Sequence, residues 1–416
     1  MRHKVIAKNT LYQILAKGIS SFIGFLITII IARNFGAIGY GDLTKITAFV
    51  ALFFLLIDFG LNAVFLKNSE EKKNDFNKLF YLRLLIAAVV FLAANIIAVF
   101  LPFNQALGIG FSPLVRLGIF IYSFSLFTQA IITSATALFQ KKLNYFPYLV
   151  SLVLGSFVNL LVVSFFAYLR LPILYIVLAF VLSSIVTSTV ALFYVRKEIF
   201  PVSFDLDFSK GVFVKAFPIG LMLIFNLIYF RTDMLLLSLL KPTNDVGIYG
   251  VSYRFFDFLI ALPLFLSNAL YPFLLANKNN AKKFFSITKY YFFVFLISSF
   301  VIILPFWFLS PLFSLIKVDF IPAVAPFRIL LLSVPFFFLT SFLQWILISL
   351  DKQRFLVVVY AFSTLLNIVL NIIFIPQWSY LATAAITGIS EGIVFVLLAF
   401  KVYSVKIFLE KEQQNE

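Results

Sequence analysis

The sequence has no cysteine and a single histidine among 416 residues, so several kinds of chemistry lack the side chains they need. Without cysteine there is no disulfide framework and no thiolate metal site. One imidazole, that of His3, cannot build a metal site alone. Charge is also scarce, because only 12% of the residues are charged while 62% are hydrophobic. This balance lies far outside the globular range and excludes an ordinary soluble protein.

Long apolar stretches fill nearly the whole chain. A bilayer core of about 30 Å needs about 20 apolar residues per helix, so the chain is expected to be an all-α polytopic membrane protein. The first apolar run lacks an A-x-A-like cleavage site and is expected to be a retained helix rather than a signal peptide. Breaks at polar clusters predict twelve transmembrane helices at residues 10–32, 41–66, 79–101, 115–139, 147–169, 172–195, 213–240, 246–275, 284–309, 323–350, 355–376 and 380–403.

The basic residues that give the net charge of +16 are distributed over the predicted loops and do not form one patch. The termini and alternate connections carry 22 Lys and Arg, whereas the opposite connections carry five. Because basic residues in short loops stay in the cytoplasm, both termini are predicted to be cytoplasmic and the chain to be a multi-pass protein of the cell (inner) membrane. A nucleic-acid partner is therefore not expected.

Two short glycine-rich segments suggest an internal repeat. The segment "RNFGAIGYGD" (33–42) has a near copy in "VGIYGVSYRF" (246–255), and an offset of 209 residues places Lys45 over Arg254. Glycine tolerates positive φ and close backbone approach, so both segments are predicted to form tight hairpins between neighbouring helices.

Six crossings return the chain to its starting side, so the two halves must be parallel repeats. The predicted domains are a six-helix lobe at 1–204 and a second one at 205–416, around a central cavity that provides the substrate route.

Basic residues within the helices are the strongest sign of a binding site, since Lys or Arg at the bilayer centre costs about 2.5–3.5 kcal/mol. The alternative is snorkelling of a long side chain to the interface. Arg231 and Arg254 lie about 12–15 Å from the outer helix ends and are the strongest candidates. The candidate substrate-binding residues are Lys17, Lys45, Arg83, Arg231, Arg254 and Arg328, with Gln129 from a polar stripe on the fourth helix.

Three carboxyl groups within the helices lack a partner of opposite sign on their own helix: Asp58, Asp233 and Glu391. Each is a candidate for H⁺ or Na⁺ coupling, with an interhelical salt bridge as the alternative. Polar stripes on several helices have two interpretations, a water-filled cavity or interhelical hydrogen bonding. The pair Gly388-x-x-x-Gly392 favours close helix packing.

Two segments resemble a known family. The stretch "ARNFGAIGYGDLTKITAFVALFFLLIDFGLNAVFLKN" (32–68) resembles the first helix pair of polysaccharide flippases. The stretch "YFRTDMLLLSLLKPTNDVGIYGVSYRFFDFL" (229–259) is similar to their seventh and eighth helices, with Asp233 in the expected place. These exporters of O-antigen and related lipid-linked oligosaccharides are part of the multidrug, oligosaccharidyl-lipid and polysaccharide exporter superfamily.

The resemblance implies a transporter, not an enzyme, that needs no cofactor. It implies a cavity lined by basic residues through which a polyprenyl-diphosphate-linked oligosaccharide passes to the outer leaflet by alternating access. Lys17, Lys45, Arg231 and Arg254 are expected to supply cations to the diphosphate. The expected partners are the lipid-linked oligosaccharide, membrane lipids, H⁺ or Na⁺, and proteins of polysaccharide assembly.

Three other functions are alternatives to this one. A drug or cation antiporter of the same superfamily is the main alternative, although many such proteins are expected to carry a carboxylate on the first helix, where this chain has Lys17. A lipid-linked-sugar polymerase or ligase usually has a large outer loop, and no connection is long enough here. A purely structural membrane protein would not need arginines within its helices.

Overall fold

The computed structural model describes residues 2–68, 75–202, 204–278 and 280–415, and nearly all of them are helical. A short antiparallel hairpin pairs β1 (Phe103–Asn104) with β2 (Ile109–Gly110). Two 3₁₀ segments lie at Ser310–Leu312 and Val318–Ala323. The helices are α1 (Arg2–Asp58), α2 (Leu61–Asn68), α3 (Asp75–Phe100), α4 (Pro113–Ser123), α5 (Ser125–Lys141), α6 (Phe146–Tyr168), α7 (Ile173–Ile199), α8 (Leu206–Leu240), α9 (Thr243–Ala276), α10 (Ala281–Leu309), α11 (Phe313–Ile316), α12 (Val324–Ser349) and α13 (Gln353–Asn415).

The predicted twelve-helix layout is confirmed. Among the described residues, 8 stretches are long and apolar enough to cross a membrane. Two of them, Lys8–Leu66 and Gln353–Ile407, have 59 and 55 residues and therefore suffice for two crossings each. Within them α1 is interrupted at Gly36 and α13 at Ser379, both at positive φ. The helices α8 and α9, with 35 and 34 residues, supply the other two crossings.

Two of the predicted helices contain breaks that hydropathy did not indicate. The second predicted helix is divided between α1 and α2 at Phe59 and Gly60, whose φ angles are 42° and 78°. The fourth is divided between α4 and α5, where the hydroxyls of Ser123 and Ser125 donate to carbonyl oxygens of the preceding turn. Such side-chain bonds compete with the helical ladder and bend helices.

The chain forms two compact units. The first unit comprises Met1–Arg231 and the short segment Pro242–Gly247, and the second comprises Thr232–Lys241 and Ile248–Glu416. The domain boundary between residues 204 and 205 stays a prediction.

Small residues allow close helix crossings within each unit. In the first unit, a Cβ at Gly155 of α6 would lie 1.8 Å from the Thr187 hydroxyl oxygen on α7. In the second unit, Gly388 lies against Ser333 and Gly392 against Phe336, both on α12. The close packing predicted for Gly388-x-x-x-Gly392 is seen at Gly388, where a Cβ would lie 3.3 Å from Ser333 Cβ, whereas a Cβ at Gly392 would make an ordinary contact of 3.7 Å with Phe336.

Candidate functional site

Two glycines of the repeated segments, Gly41 and Gly247, lie where two backbones touch. In the first unit, a Cβ added to Gly41 would lie 2.1 Å from the carbonyl oxygen of Thr243. A Cβ added to Gly247 would lie 1.8 Å from the carbonyl oxygen of Ala37. Because backbone atoms cannot rotate away as a side chain can, only glycine allows α1 and the segment Pro242–Gly247 to pack at this distance.

The prediction of a glycine hairpin in both halves is wrong for the second half. There the chain turns at Lys241 and Pro242, while Gly247 and Gly250 are helical residues of α9. Proline has no N–H to donate and a restricted φ, so it suits the position before a helix and makes a glycine turn unnecessary. Within the first segment, residues 33–42, Gly36 is the glycine that adopts positive φ.

Lys45 occupies the centre of this contact. Its side chain is completely buried, and its ammonium donates to the carbonyl oxygen of Gly110 and to the hydroxyl of Thr243, both at 2.7 Å. The Thr243 amide in turn donates to the carbonyl oxygen of Gly108 at 3.2 Å. Lys45 therefore joins α1, the β1–β2 hairpin and the segment Pro242–Gly247 within the first unit. Its contact with substrate stays a prediction.

Arg83 and Asp58, which were predicted for different roles, form an ion pair. Arg83 is completely buried, and its Nη2 lies 2.9 Å from Asp58 Oδ1 and 2.6 Å from Asn62 Oδ1. Asp58 Oδ1 also accepts from the Asn62 amide at the start of α2. The structure thus shows the interhelical salt bridge that was the alternative for Asp58. Arg83 contacts both Asp58, before the helix break at Phe59 and Gly60, and Asn62, after it.

Other basic candidates differ in their surroundings. Arg328 donates from Nε to the Ser310 hydroxyl at 2.9 Å and lies 5.1 Å from the ring centre of Trp307, an arrangement typical of a side chain anchored near an interface. Lys17 and Arg254 are exposed.

Two further candidates are partly buried. Arg231 is half-buried. Gln129 is also half-buried, and its side-chain amide donates to the Thr133 hydroxyl at 3.1 Å. The roles of all these residues in substrate binding stay predictions.

The second unit holds a buried polar cluster around Asp233 of α8. The Tyr249 hydroxyl donates to Asp233 Oδ2 at 2.8 Å, and the Thr387 hydroxyl lies 3.5 Å from the same oxygen. One turn after Thr387, Glu391 accepts a hydrogen bond from Thr340 of α12. Both carboxyl groups are almost fully buried, with 3% and 2% of the residue exposed.

Amide side chains extend this cluster along α13. Asn367 donates to the Ser390 hydroxyl at 3.3 Å, and Asn371 donates to Asn367 Oδ1 at 2.9 Å. A polar cluster inside an otherwise apolar helical unit is expensive unless its groups satisfy one another or bind something. The sequence indicated the two carboxyl groups and the polar stripes on α13, but nothing in it indicated that Tyr249 or Thr340 would contact them.

Two hydrogen bonds stabilise the connections between the membrane-spanning helices. Asn9 accepts from the Tyr145 amide at 2.8 Å, and burial raises the pKa of Tyr145 to about 12. Asp205, in the connection before α8, accepts a 2.8 Å hydrogen bond from Lys78 that holds the pKa of this carboxyl below its usual value.

Comparison with known sequences gives two family matches. The model of the family described as "Polysaccharide biosynthesis protein" matches residues 6–278. The model of the family described as "MatE" matches residues 218–373. No curated relative of significant similarity matches the sequence.

Several solved structures share the fold. The structure of a lipid II flippase, MurJ, in an inward closed conformation is 18% identical, with a TM-score of 0.77 over 94% of this chain and 87% of that one. A multidrug resistance MATE family transporter of the MOP superfamily, in an inward-facing conformation, is 14% identical, with a TM-score of 0.71 over 96% and 95%. The eukaryotic MATE transporter AtDTX14 is 16% identical, with a TM-score of 0.67 over 96% and 95%.

Proposed function

Because the chain belongs to the polysaccharide biosynthesis protein family, we propose that it flips a lipid-linked oligosaccharide across the membrane. The substrate is a polyprenyl-diphosphate-linked unit of O-antigen or of another surface polysaccharide, and it moves from the cytoplasmic to the outer leaflet by alternating access. The family match over residues 6–278 and the fold shared with a lipid II flippase support this proposal. The shared fold supports a transporter and not an enzyme.

The observation that carries the substrate class is the exposed guanidinium of Arg254. It lies 11 residues into α9, which is about 16 Å along the helix. A guanidinium at this depth is costly in hydrocarbon, so the position favours a polar path that an anion can enter. Arginine presents a planar set of donors that fits two phosphate oxygens at once. The exposed ammonium of Lys17 on α1 supplies a second cation for the same anionic headgroup.

In this proposal both termini lie in the cytoplasm and the protein resides in the cell membrane. The 22 Lys and Arg of the termini and alternate connections, against five on the opposite side, support this orientation. The β1–β2 hairpin and the turn at Pro242 then face outward.

Asp233 is the proposed ion-coupling group. It is almost fully buried, and the hydroxyls of Tyr249 and Thr387 lie at one of its carboxylate oxygens. Hydroxyl and carboxylate oxygens can share a proton or bind Na⁺. An ion drives transport only if its affinity for the protein differs between two conformational states. Glu391 is the next candidate. Asp58 ranks last because Arg83 already neutralises it.

The test uses vesicles reconstituted with the purified protein and a fluorescent polyprenyl-diphosphate oligosaccharide. We expect the wild type to move the probe between leaflets, Arg254→Ala to lose at least tenfold in rate, and Arg254→Lys to retain part of it. Arg33→Ala, which removes another exposed cation, is the matched control and should keep the wild-type rate. Full activity of Arg254→Ala would remove Arg254 from the site.

The match of residues 218–373 to the MatE family favours cation-coupled antiport of small molecules as the second candidate. The same vesicles distinguish the two functions when they are loaded with a cationic dye and given a pH or Na⁺ gradient. Dye transport without movement of the lipid probe would identify an antiporter. For either substrate, Asp233→Asn should abolish the response to the gradient, and an unchanged response would exclude Asp233 as the coupling group.

A further inference from the structure

Resting on the proposed function, we propose that Lys45 is a substrate-sensitive switch. In the structure its ammonium holds the segment Pro242–Gly247 against the β1–β2 hairpin. When the substrate diphosphate binds this ammonium in place of Gly110 and Thr243, the segment is released from the hairpin. Lys45 is then a residue that couples occupancy of the site to opening of this contact.

Lys45 provides two of the hydrogen bonds described at this contact. Its ammonium bonds to Gly110 and Thr243, while Thr243 makes two bonds to the carbonyl oxygen of Gly108, from its amide at 3.2 Å and its hydroxyl at 3.3 Å. An isolated β-bridge joins Ile109 to Pro242. Loss of the ammonium would remove the two 2.7 Å bonds and leave the longer bonds of Thr243 and the backbone packing at Gly41 and Gly247.

The charge of Lys45 is the feature that a purely structural role does not explain. A neutral amide could donate to the same two oxygens, and burying an ammonium without full compensation is costly. Both bonded acceptors are neutral oxygens, and the nearest charge acting on it is the Asp42 carboxyl three residues earlier on the helix. The bonds to Gly110 and Thr243 pair the ammonium with neutral oxygens, whereas a diphosphate would pair it with an opposite charge. A diphosphate that reaches Lys45 would therefore displace Gly110 and Thr243.

The chain contains no cysteine, so engineered pairs can report on this contact without background. Ile109→Cys with Pro242→Cys places two thiols on bridged residues, at a separation of about 5 Å that suits a disulfide. Asn104→Cys with Ile109→Cys is the matched control, because it keeps the Ile109→Cys substitution but places the second thiol within the hairpin and not on the segment.

The first measurement is the rate of oxidative cross-linking in detergent with farnesyl diphosphate as the probe and farnesol as its uncharged counterpart. We expect the diphosphate to slow cross-linking of the 109–242 pair at least threefold, farnesol to have no effect, and the 104–109 pair to respond to neither. Adding Lys45→Gln should remove the response while Lys45→Arg should keep it. An unchanged rate with the diphosphate, or an equal response in Lys45→Gln, would overturn the proposal.

The second measurement is transport by the cross-linked protein in vesicles. The 109–242 disulfide should reduce flipping at least tenfold, with recovery on reduction, and the 104–109 disulfide should leave it unchanged. Normal flipping by the fully cross-linked 109–242 pair would also refute the switch. A diphosphate-sensitive contact in a protein that moves no lipid-linked oligosaccharide would instead support the switch and refute the proposed function.

Discussion

Replacing Gly247 by alanine should weaken the contact between α1 and the segment Pro242–Gly247. The added Cβ would lie 1.8 Å from the carbonyl oxygen and 2.7 Å from the carbonyl carbon of Ala37. Ordinary contacts of this kind are longer than 3 Å, and both obstructing atoms are backbone, so a helix must shift to relieve the clash.

The size of the effect follows from comparison with Gly18→Ala, a substitution at a helical glycine of α1. No atom lies within 4 Å of a Cβ at Gly18, so that substitution should only raise helix propensity, by up to about 1 kcal/mol. Gly247→Ala gains a similar propensity term because Gly247 is also helical. The difference between the two variants therefore isolates the steric cost, which for overpacking is about 1–3 kcal/mol.

The assay is the thermal midpoint of the purified variants, followed by fluorescence-detected size exclusion. We expect Gly247→Ala to melt a few degrees below Gly18→Ala, and the 109–242 cysteine pair to cross-link more slowly when Gly247→Ala is present. A midpoint for Gly247→Ala equal to or above that of Gly18→Ala would show that the backbones do not approach as closely as described.

Three further outcomes are expected. Asp58→Ala should destabilise the protein more than Arg83→Met. Asp58→Ala leaves a fully buried guanidinium without its counterion, which costs about 3–5 kcal/mol, whereas Arg83→Met leaves a carboxylate that is 29% exposed. Equal thermal midpoints of the two variants would contradict this. Tyr249→Phe should lower the midpoint by removing a buried hydrogen bond worth about 1–3 kcal/mol, and an unchanged midpoint would exclude that bond. The lowered pKa of Asp205 makes its bond to Lys78 stabilising above about pH 4 and lost as the pH falls through the folded-state pKa. Asp205→Asn should therefore lose less stability between pH 7 and pH 3 than the wild type.

The sequence predicted the helices well because hydropathy is a local property summed over about 20 residues. The apolar runs gave the number of crossings, and the segments at 32–68 and 229–259 were enough to identify the family. The same local reasoning failed for the second glycine segment, where Pro242 made the turn and left Gly247 available for packing. It also missed the break at Phe59 and Gly60, because both flanking segments are apolar.

The candidate site was predictable in its residue types but not in its partnerships. Buried charges within apolar helices are conspicuous in any sequence, so Lys45, Arg83 and Asp233 could be selected without a structure. Their contacts join residues far apart in the chain, at sequence separations of 198 for Lys45 and Thr243 and 154 for Asp233 and Thr387. No local pattern specifies such pairs.

By itself, then, the sequence determined that the chain is a twelve-helix membrane protein of this family, because composition and the spacing of polar breaks depend only on the solvation of each segment. Only the tertiary structure decided which charges are neutralised by one another. It paired Arg83 with Asp58, buried the Lys45 ammonium against Gly110 and Thr243, and left Arg254 exposed. The physical reason is that the cost of a charge in a membrane protein depends on the atoms a few ångströms away, and those atoms come from helices whose positions are set by packing and not by sequence order.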